Sequence, residues 1–316
     1  MRKFTVGTRR SRLALEQTKS VVDMIIENNS QVHIGILKIN SSGDLAVRPL
    51  YTFDKKGIFE KEIDQAVIDG RADFAVHSAK DVPTELFAEL ELASVPTRSL
   101  TNDVLINCKG LKFKELAPGS VIGTSSLRRA VQLLRMRPEL KVIPIRGNIE
   151  TRIKKVESGL YDAIVLAQAG LERLGLTKYV TEQFDVRDFM PAVGQGALAL
   201  VCKNSDADIL KLLKSVEDPR SRAELEAERN LLSVVEGGCK LPVGAVAVSS
   251  EDSKTLTLVT KAFPADGSEE IFVTESGATV DAKDVGIRAG YRLLEKGVKD
   301  FSRGWEMALK EWNIGQ

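Results

Sequence analysis

Histidine, cysteine and long apolar runs are what this 316-residue sequence has least of. The two histidines, His33 and His77, belong to no HExxH pattern and no Cys/His cluster, which argues against a metal site. Three cysteines with no CxxC pair and no even framework argue against a secreted disulfide scaffold and fit a reducing compartment. No apolar run reaches the roughly 18 to 20 residues that cross a bilayer. The start of the chain passes from Met1, Arg2 and Lys3 into a strand-like segment without a signal or transit pattern, so a cytoplasmic protein with no membrane partner is expected. Aromatic residues make up 5%, and 45 Lys plus Arg against 44 Asp plus Glu leave a net charge of +1. Such a chain exerts no long-range pull on nucleic acid. A GxxxxGK[ST] phosphate loop is absent, and Gly194, Gln195 and Gly196 form a dinucleotide-loop fragment with no third glycine.

What is present is the composition of a globular protein of two or three domains, 43% hydrophobic and 28% charged. From residue 4 to about 200, apolar runs alternate with helix-period segments, the pattern of an α/β chain with mainly parallel strands. Strands are expected over 4–6, 33–39, 74–76, 104–107, 121–122, 142–145, 163–166 and 197–201, and helices over 12–27, 60–68, 127–136, 149–157 and 206–215. Two stretches echo each other. Val6-Gly7-Thr8 before Arg9 resembles Ile122-Gly123-Thr124 before Arg128 and Arg129, and Gly70 with Asp73 precedes one apolar strand as Gly159 with Asp162 precedes another. The echo suggests two similar lobes with a cleft between them. After residue 218, a helix (221–232), three strand-like runs (243–248, 255–262, 270–275) and a last helix (281–296) read as a separate α+β domain.

Nine basic residues against two acidic ones give the window 128–155 a charge of +7, which leaves −6 for the rest. A concentrated positive field on a neutral protein suits a small anionic ligand, although a solvated helix face is the usual cause of such a run. The placement of the arginines favours the ligand. Helix N-termini carry partial positive charge and unpaired N–H groups, so an arginine there is unfavourable unless an anion joins it. Arg9 precedes Ser11, Arg128 and Arg129 follow Thr124 to Ser126, and Arg146 precedes Gly147 and Asn148; Lys80 and Arg152 belong near the same mouth of strand ends and helix starts. Asp81, beside Lys80, reads locally as a salt-bridge partner, and His77 as a structural imidazole. Cys239 stands between Gly238 and Lys240, a setting that leaves the thiol open and favours the thiolate, so a covalent role is available to it. Cys108 and Cys202 end strand-like runs and read as small buried apolar residues.

These residues together resemble the porphobilinogen deaminase family, also called hydroxymethylbilane synthase. The resemblance rests on GTRRSRLALEQT (7–18), SSGD (41–44), KGIFEKEID (56–64), RADFAVHSAKDVP (71–83), GTSSLRRA (123–130), RGNIETR (146–152), YDAIVLAQAGLERLG (161–175), PAVGQGAL (191–198) and EGGCKLP (236–242). It implies a transferase that condenses four porphobilinogen molecules head to tail with loss of ammonia, in tetrapyrrole and haem biosynthesis. It also implies a dipyrromethane cofactor held by a thioether to Cys239, and Asp81 as the catalytic carboxylate. Cofactor contacts are implied for Lys80, Ser11, Thr124, Ser126, Arg128, Arg129 and Arg146, and substrate contacts for Arg9, Arg152, Arg173, Phe59 and Gln195. The implied fold is two periplasmic-binding-protein-like lobes (1–98 with 195–216, and 99–194) and a C-terminal α+β domain (217–316), in a monomer. Segment 47–55 departs from the family's glycine-richer loop, which suggests a lid of its own kind. A non-catalytic two-lobed binder of a carboxylate-rich ligand would account for the arginines but not for Cys239.

Overall fold

The computed structural model describes residues 3–40, 60–235 and 242–301; Phe59, Cys239 and segment 47–55 lie outside the described residues. The chain begins with β1 (Lys3–Arg9), α1 (Arg12–Asn28), β2 (His33–Ile39), α2 (Lys61–Ile68), β3 (Phe74–Ser78) and β4 (Leu90–Ser94). Helix α1 starts where Ser11, in extended backbone, accepts a hydrogen bond from the Ala14 N–H at 3.3 Å. Its Val21, Val22 and Ile25 then pack on Phe4, Val6 and Phe74 of the sheet.

The chain leaves this sheet after β4 and builds a second from β5 (Asp103–Ile106), β6 (Val121–Gly123), α3 (Leu127–Met136), β7 (Lys141–Ile143), α4 (Ile149–Glu157), β8 (Ala163–Ala167), α5 (Gln168–Leu174) and β9 (Glu182–Gln183). It then returns to the first sheet as β10 (Leu198–Lys203), followed by α6 (Ala207–Lys214). The two sheets have the orders β2-β1-β3-β10-β4 and β7-β6-β8-β5-β9. In each, the first three strands run parallel and the fourth is antiparallel to both neighbours. Each fourth strand directly follows a crossing from the other lobe, so residues 95–102 and 184–197 form two connections between the lobes.

The sequence echo is topological: β1 corresponds to β6 and β3 to β8. The paired aspartates do the same job in both halves. Asp73 accepts from the Thr5 N–H at 2.6 Å and returns its own N–H to Thr5 O, while Asp162 accepts from the Val121 N–H at 2.8 Å and returns its N–H to Val121 O. Each fixes the register of a central strand against its neighbour.

The third unit consists of α7 (Pro219–Val235), an antiparallel meander of β11 (Val243–Ser249), β12 (Thr255–Ala262) and β13 (Ile271–Ala278), and α8 (Ala282–Glu295). Alternate residues Leu256, Leu258, Thr260 and Ala262 of β12 turn inward, and Leu231, Val285, Ala289 and Leu293 of the helices complete the core. Three elements escape the sequence pattern: β4, the two-residue β9, and α5, which continues without a break from the apolar run of β8. Cys202 is fully buried as expected. Cys108 is not: β5 stops at Ile106, and the thiol lies exposed beyond the strand end.

Candidate active site

Both sheets direct the C-terminal ends of their parallel strands toward one cleft of 780 Å³. From the first lobe come Arg9 and Arg10 at the end of β1, Ser11 at the cap of α1, and Ser78 with Lys80 after β3. From the second come Arg129 in the first turn of α3, Arg146 to Glu150 around the start of α4, Arg152, and Arg173 on α5. Among the described residues, seven cations therefore face the cleft, against Glu150 as the acid in its wall. The N-termini of α1, α4 and α5 open here as well, adding N–H groups and dipole ends of the same sign.

Local structure explains how these side chains are held. Asn148 caps α4 by accepting from the Thr151 N–H at 2.8 Å. Gly147 precedes it at φ +114°, where a Cβ would also stand 2.7 Å from Thr151, so only glycine makes this corner. The Arg152 Nε donates to Gly147 O at 2.7 Å, the Lys155 ammonium donates to Arg146 O at 3.1 Å, and Arg173 donates to Gly196 O at 2.6 Å. Crowding of like charge leaves its mark. Desolvation, with Arg129 and Arg146 nearby, lowers Arg152 to a pKa of about 10. Desolvation lowers Arg173 to about 10 against the pull of Glu172. Lys80 is reached by solvent through the open cleft, yet the surrounding walls, followed by Arg129, bring its ammonium down to about 8.

Behind the cleft lies Asp103, fully buried at the first position of β5. Arg128 donates to its Oδ2 at 2.8 Å and also to Met190 O. Arg129 donates to its Oδ1 from Nη2 at 2.7 Å and from Nε at 3.1 Å. Burial alone would raise the Asp103 pKa, but the two guanidiniums outweigh it and hold the carboxyl well below the usual carboxylate range.

This network draws part of the expected ligand set behind the cleft wall. Arg128 and Gln195 are not in the cleft wall: the Arg128 fork is spent on Asp103 and Met190, and the Gln195 amide donates to Thr101 O at 2.6 Å and to Asp103 at 2.9 Å. Thr124 is buried and accepts from the Ser126 N–H at 3.2 Å, while Ser126 caps α3, so both shape the turn that carries Arg129. Arg129 serves the network and the cleft together. The rest of the basic window divides further, since Arg137 pairs with Glu139 at 2.6 Å and Arg135 reaches Glu270 of the third unit at 3.6 Å.

Asp81 ends the short turn Ala79–Asp81 after β3 and is half-buried. Among the described residues no ion pair within 4 Å is formed by it, although its charge favours the Lys80 ammonium. His77 is structural as expected, its Nε2 lying 2.9 Å from the buried Asp64. Sequence reasoning missed Asp103, whose signal was an acid directly preceding the apolar strand run 104–107 in the same half as the basic helix.

Comparison with known proteins gives a consistent picture. The family model described as the porphobilinogen deaminase dipyromethane cofactor binding domain matches residues 4–211, and that of the porphobilinogen deaminase C-terminal domain matches residues 223–295. A Nitrosopumilus maritimus protein named "Probable porphobilinogen deaminase" is 49% identical over 98% of this chain and 99% of its own. The porphobilinogen deaminase of Desulforudis audaxviator is 43% identical over 94% and 96%. Among solved structures, a periplasmic binding protein of Salmonella typhimurium aligns at 12% identity over 68% of this chain and 92% of that one, with a TM-score of 0.41.

Proposed function

Since the chain belongs to the porphobilinogen deaminase family, we propose that its cationic cleft holds pyrrole carboxylates, that Asp81 is the catalytic carboxylate and that Cys239 anchors the cofactor. The protein is a transferase of tetrapyrrole biosynthesis, a hydroxymethylbilane synthase that joins four porphobilinogen molecules with release of ammonia, and its cofactor is dipyrromethane. We read it as a cytoplasmic monomer with no nucleic-acid partner, divided at 1–98 with 195–216, 99–194 and 217–316. No described helix is long and apolar enough to cross a membrane.

The observation that carries the site assignment is the surplus of cations at the strand ends. Each pyrrole of this chemistry bears an acetate and a propionate, and seven cations against one acid among the described residues fit a ligand with several carboxylates. Lys80, Ser11, Arg129 and Arg146 would hold the cofactor, with Arg9, Arg152 and Arg173 on the incoming substrate. Arg128, Gln195, Thr124 and Ser126 act from behind by fixing Asp103 and the turn into α3. When bound, the cofactor supplies the pyrrole α-carbon on which the chain grows.

Asp81 then has two tasks in each cycle. Its carboxylate hydrogen-bonds the pyrrole N–H and offsets the cation that forms as the C–N bond breaks and its electron pair leaves with ammonia. It then receives the proton displaced from the α-carbon as the new C–C bond forms. Paired guanidiniums keep both reactants aligned, so the step is effectively intramolecular.

Single-turnover ammonia release tests the assignment. Cofactor-loaded Asp81→Asn should lose on the order of 10² or more in rate with its thermal midpoint little changed. Intact mass should show two linked pyrroles on the wild type and none on Cys239→Ser. Near-wild-type release by Asp81→Asn, or an unmodified yet active wild type, would overturn the respective role.

A further inference from the structure

Asp81 is carried by a turn of three residues, Ala79–Asp81, closed by the Val82 N–H on Ala79 O at 3.3 Å. Hydrogen bonds in so short a 3₁₀ turn are poorly aligned, so its shape depends on what packs around it. The second connection between the lobes supplies one wall. The Ala79 N–H donates to Ala197 O at 3.0 Å, and a Cβ on Gly194 would stand 3.0 Å from the Ala79 carbonyl carbon and from the Lys80 nitrogen. Helix α7 of the third unit supplies another. Its fully buried Leu225 shares a core cluster with Ala79 and Val82. One turn further along α7, Arg229 donates to three successive carbonyls: from Nη1 to Val82 O at 3.1 Å, and from Nη2 to Pro83 O at 2.6 Å and Thr84 O at 3.2 Å.

We propose that Arg229 is a positioning residue: from the helix that leads toward Cys239, it holds the exit of the Ala79–Asp81 turn and so fixes where Lys80 and Asp81 stand relative to the cleft. The inference rests on the reading of Asp81 as the catalytic carboxylate.

Two features set this clamp apart from ordinary helix docking. Arg222, two turns earlier on α7, donates to Leu92 O at 2.8 Å, and with Leu225 it seats the helix on the first lobe by other contacts. Arg229 instead meets the chain from the residue directly after Asp81, so a shift of these carbonyls passes to the Asp81 carboxylate through a single residue. Guanidinium donors form a planar fork that spans neighbouring carbonyls, which the single nitrogen of lysine does only in part. A displacement of about 1 Å at a reacting group costs on the order of 10²-fold in rate. Arg9, Arg152 and Arg173 belong to β1, α4 and α5 and make none of these bonds, so loss of the clamp should lower kcat more than it raises KM.

The test is a double-mutant cycle on cofactor-loaded protein, with loading checked by intact mass. Arg229→Met should slow single-turnover ammonia release about 10- to 100-fold with KM within about twofold of wild type, and Arg229→Lys should recover part of the rate. In an Asp81→Asn background, Arg229→Met should cost less than about threefold more, because the group it positions is already gone. Arg222→Met is the control for docking: it should lower the thermal midpoint and leave kcat as it was. Wild-type kcat in Arg229→Met, the same fold loss in both backgrounds, or an equal loss of kcat in Arg222→Met overturns the proposal. Should Arg229→Met not fold, Arg229→Lys carries the same cycle. Rapid release by Asp81→Asn would fail the reading of Asp81 itself; slow release by Asp81→Asn beside full activity of Arg229→Met fails only the clamp.

Discussion

At the scale of single residues, charge is handled in two ways that the same side chain, arginine, makes possible. Toward the cleft, guanidiniums and Lys80 are crowded together, which favours a bound anion. Behind it, Asp103 pairs with both Arg128 and Arg129 in a buried triad. Asp103→Asn keeps the shape but leaves two buried cations unbalanced, and should cost about 3 to 5 kcal/mol. Chemical denaturation measures this, and an unchanged midpoint would contradict it. Because the folded-state pKa of Asp103 lies below its unfolded value, its stabilisation is full above about pH 4 and is lost as pH falls further. Lys80 works in the opposite range. With its ammonium at about 8, positive charge drains from the cleft as pH rises through that value, so kcat/KM should begin to fall there, chiefly through KM. Lys80→Gln should bind substrate more weakly at pH 7 and lack this first alkaline limb; a limb that persists near pH 8 would assign it to another group.

Among the elements, α7 and α8 carry the clearest packing constraint. Gly286 and Gly290 lie one turn apart on α8 where it meets α7. A Cβ at 286 would stand 2.2 Å from Ala227 O, and one at 290 would stand 2.6 Å from Val234 Cβ. Helix propensity favours alanine over glycine by about 1 kcal/mol, whereas overpacking a backbone contact costs about 1 to 3 kcal/mol or more. Gly286→Ala should therefore destabilise, because the obstacle at Ala227 is backbone and cannot rotate away. A raised thermal midpoint would show that propensity wins. The pairing matters for function because α7 ends at Val235, four residues before Cys239. Helix packing thus sets where the stretch leading to Cys239, the proposed cofactor anchor, leaves α7.

At the scale of the whole molecule, one carboxylate joins three parts of the chain. Glu228 on α7 is fully buried and receives both Nη groups of Arg98, at 2.7 and 3.0 Å, from the first connection between the lobes. It also accepts from the Gly194 N–H of the second connection at 2.7 Å and from the Ala247 N–H of β11 at 2.8 Å. Relative movement of the lobes and the seating of the third unit therefore meet at a single group. Glu228→Gln should cost about 3 to 5 kcal/mol, since the buried Arg98 loses its bidentate carboxylate and keeps only Glu224 at 3.9 Å. Hydrogen exchange should speed at Gly194 and Ala247 while the central strands of both lobes stay protected. Uniform protection across all three regions would show that Glu228 is not the joint.

Much of this was determined by sequence alone, wherever the cause is short in range. The expected bounds of α3 and α4 match the structure, because Ser126 and Asn148 supply caps within three residues of the N–H groups they satisfy. The two lobes were visible as an echo because each half needs the same Gly-Thr strand exit and the same aspartate clamp. Cations were correctly placed at strand ends because the order strand, arginine, helix is local. The tertiary structure decided what depends on partners distant in the chain. Asp103 takes up Arg128, 25 residues away, and Gln195, 92 residues away, and removes both from the cleft wall. Whether a charge faces ligand or balances another charge is settled by burial and pairing across the fold, and periodicity along the chain carries no record of it.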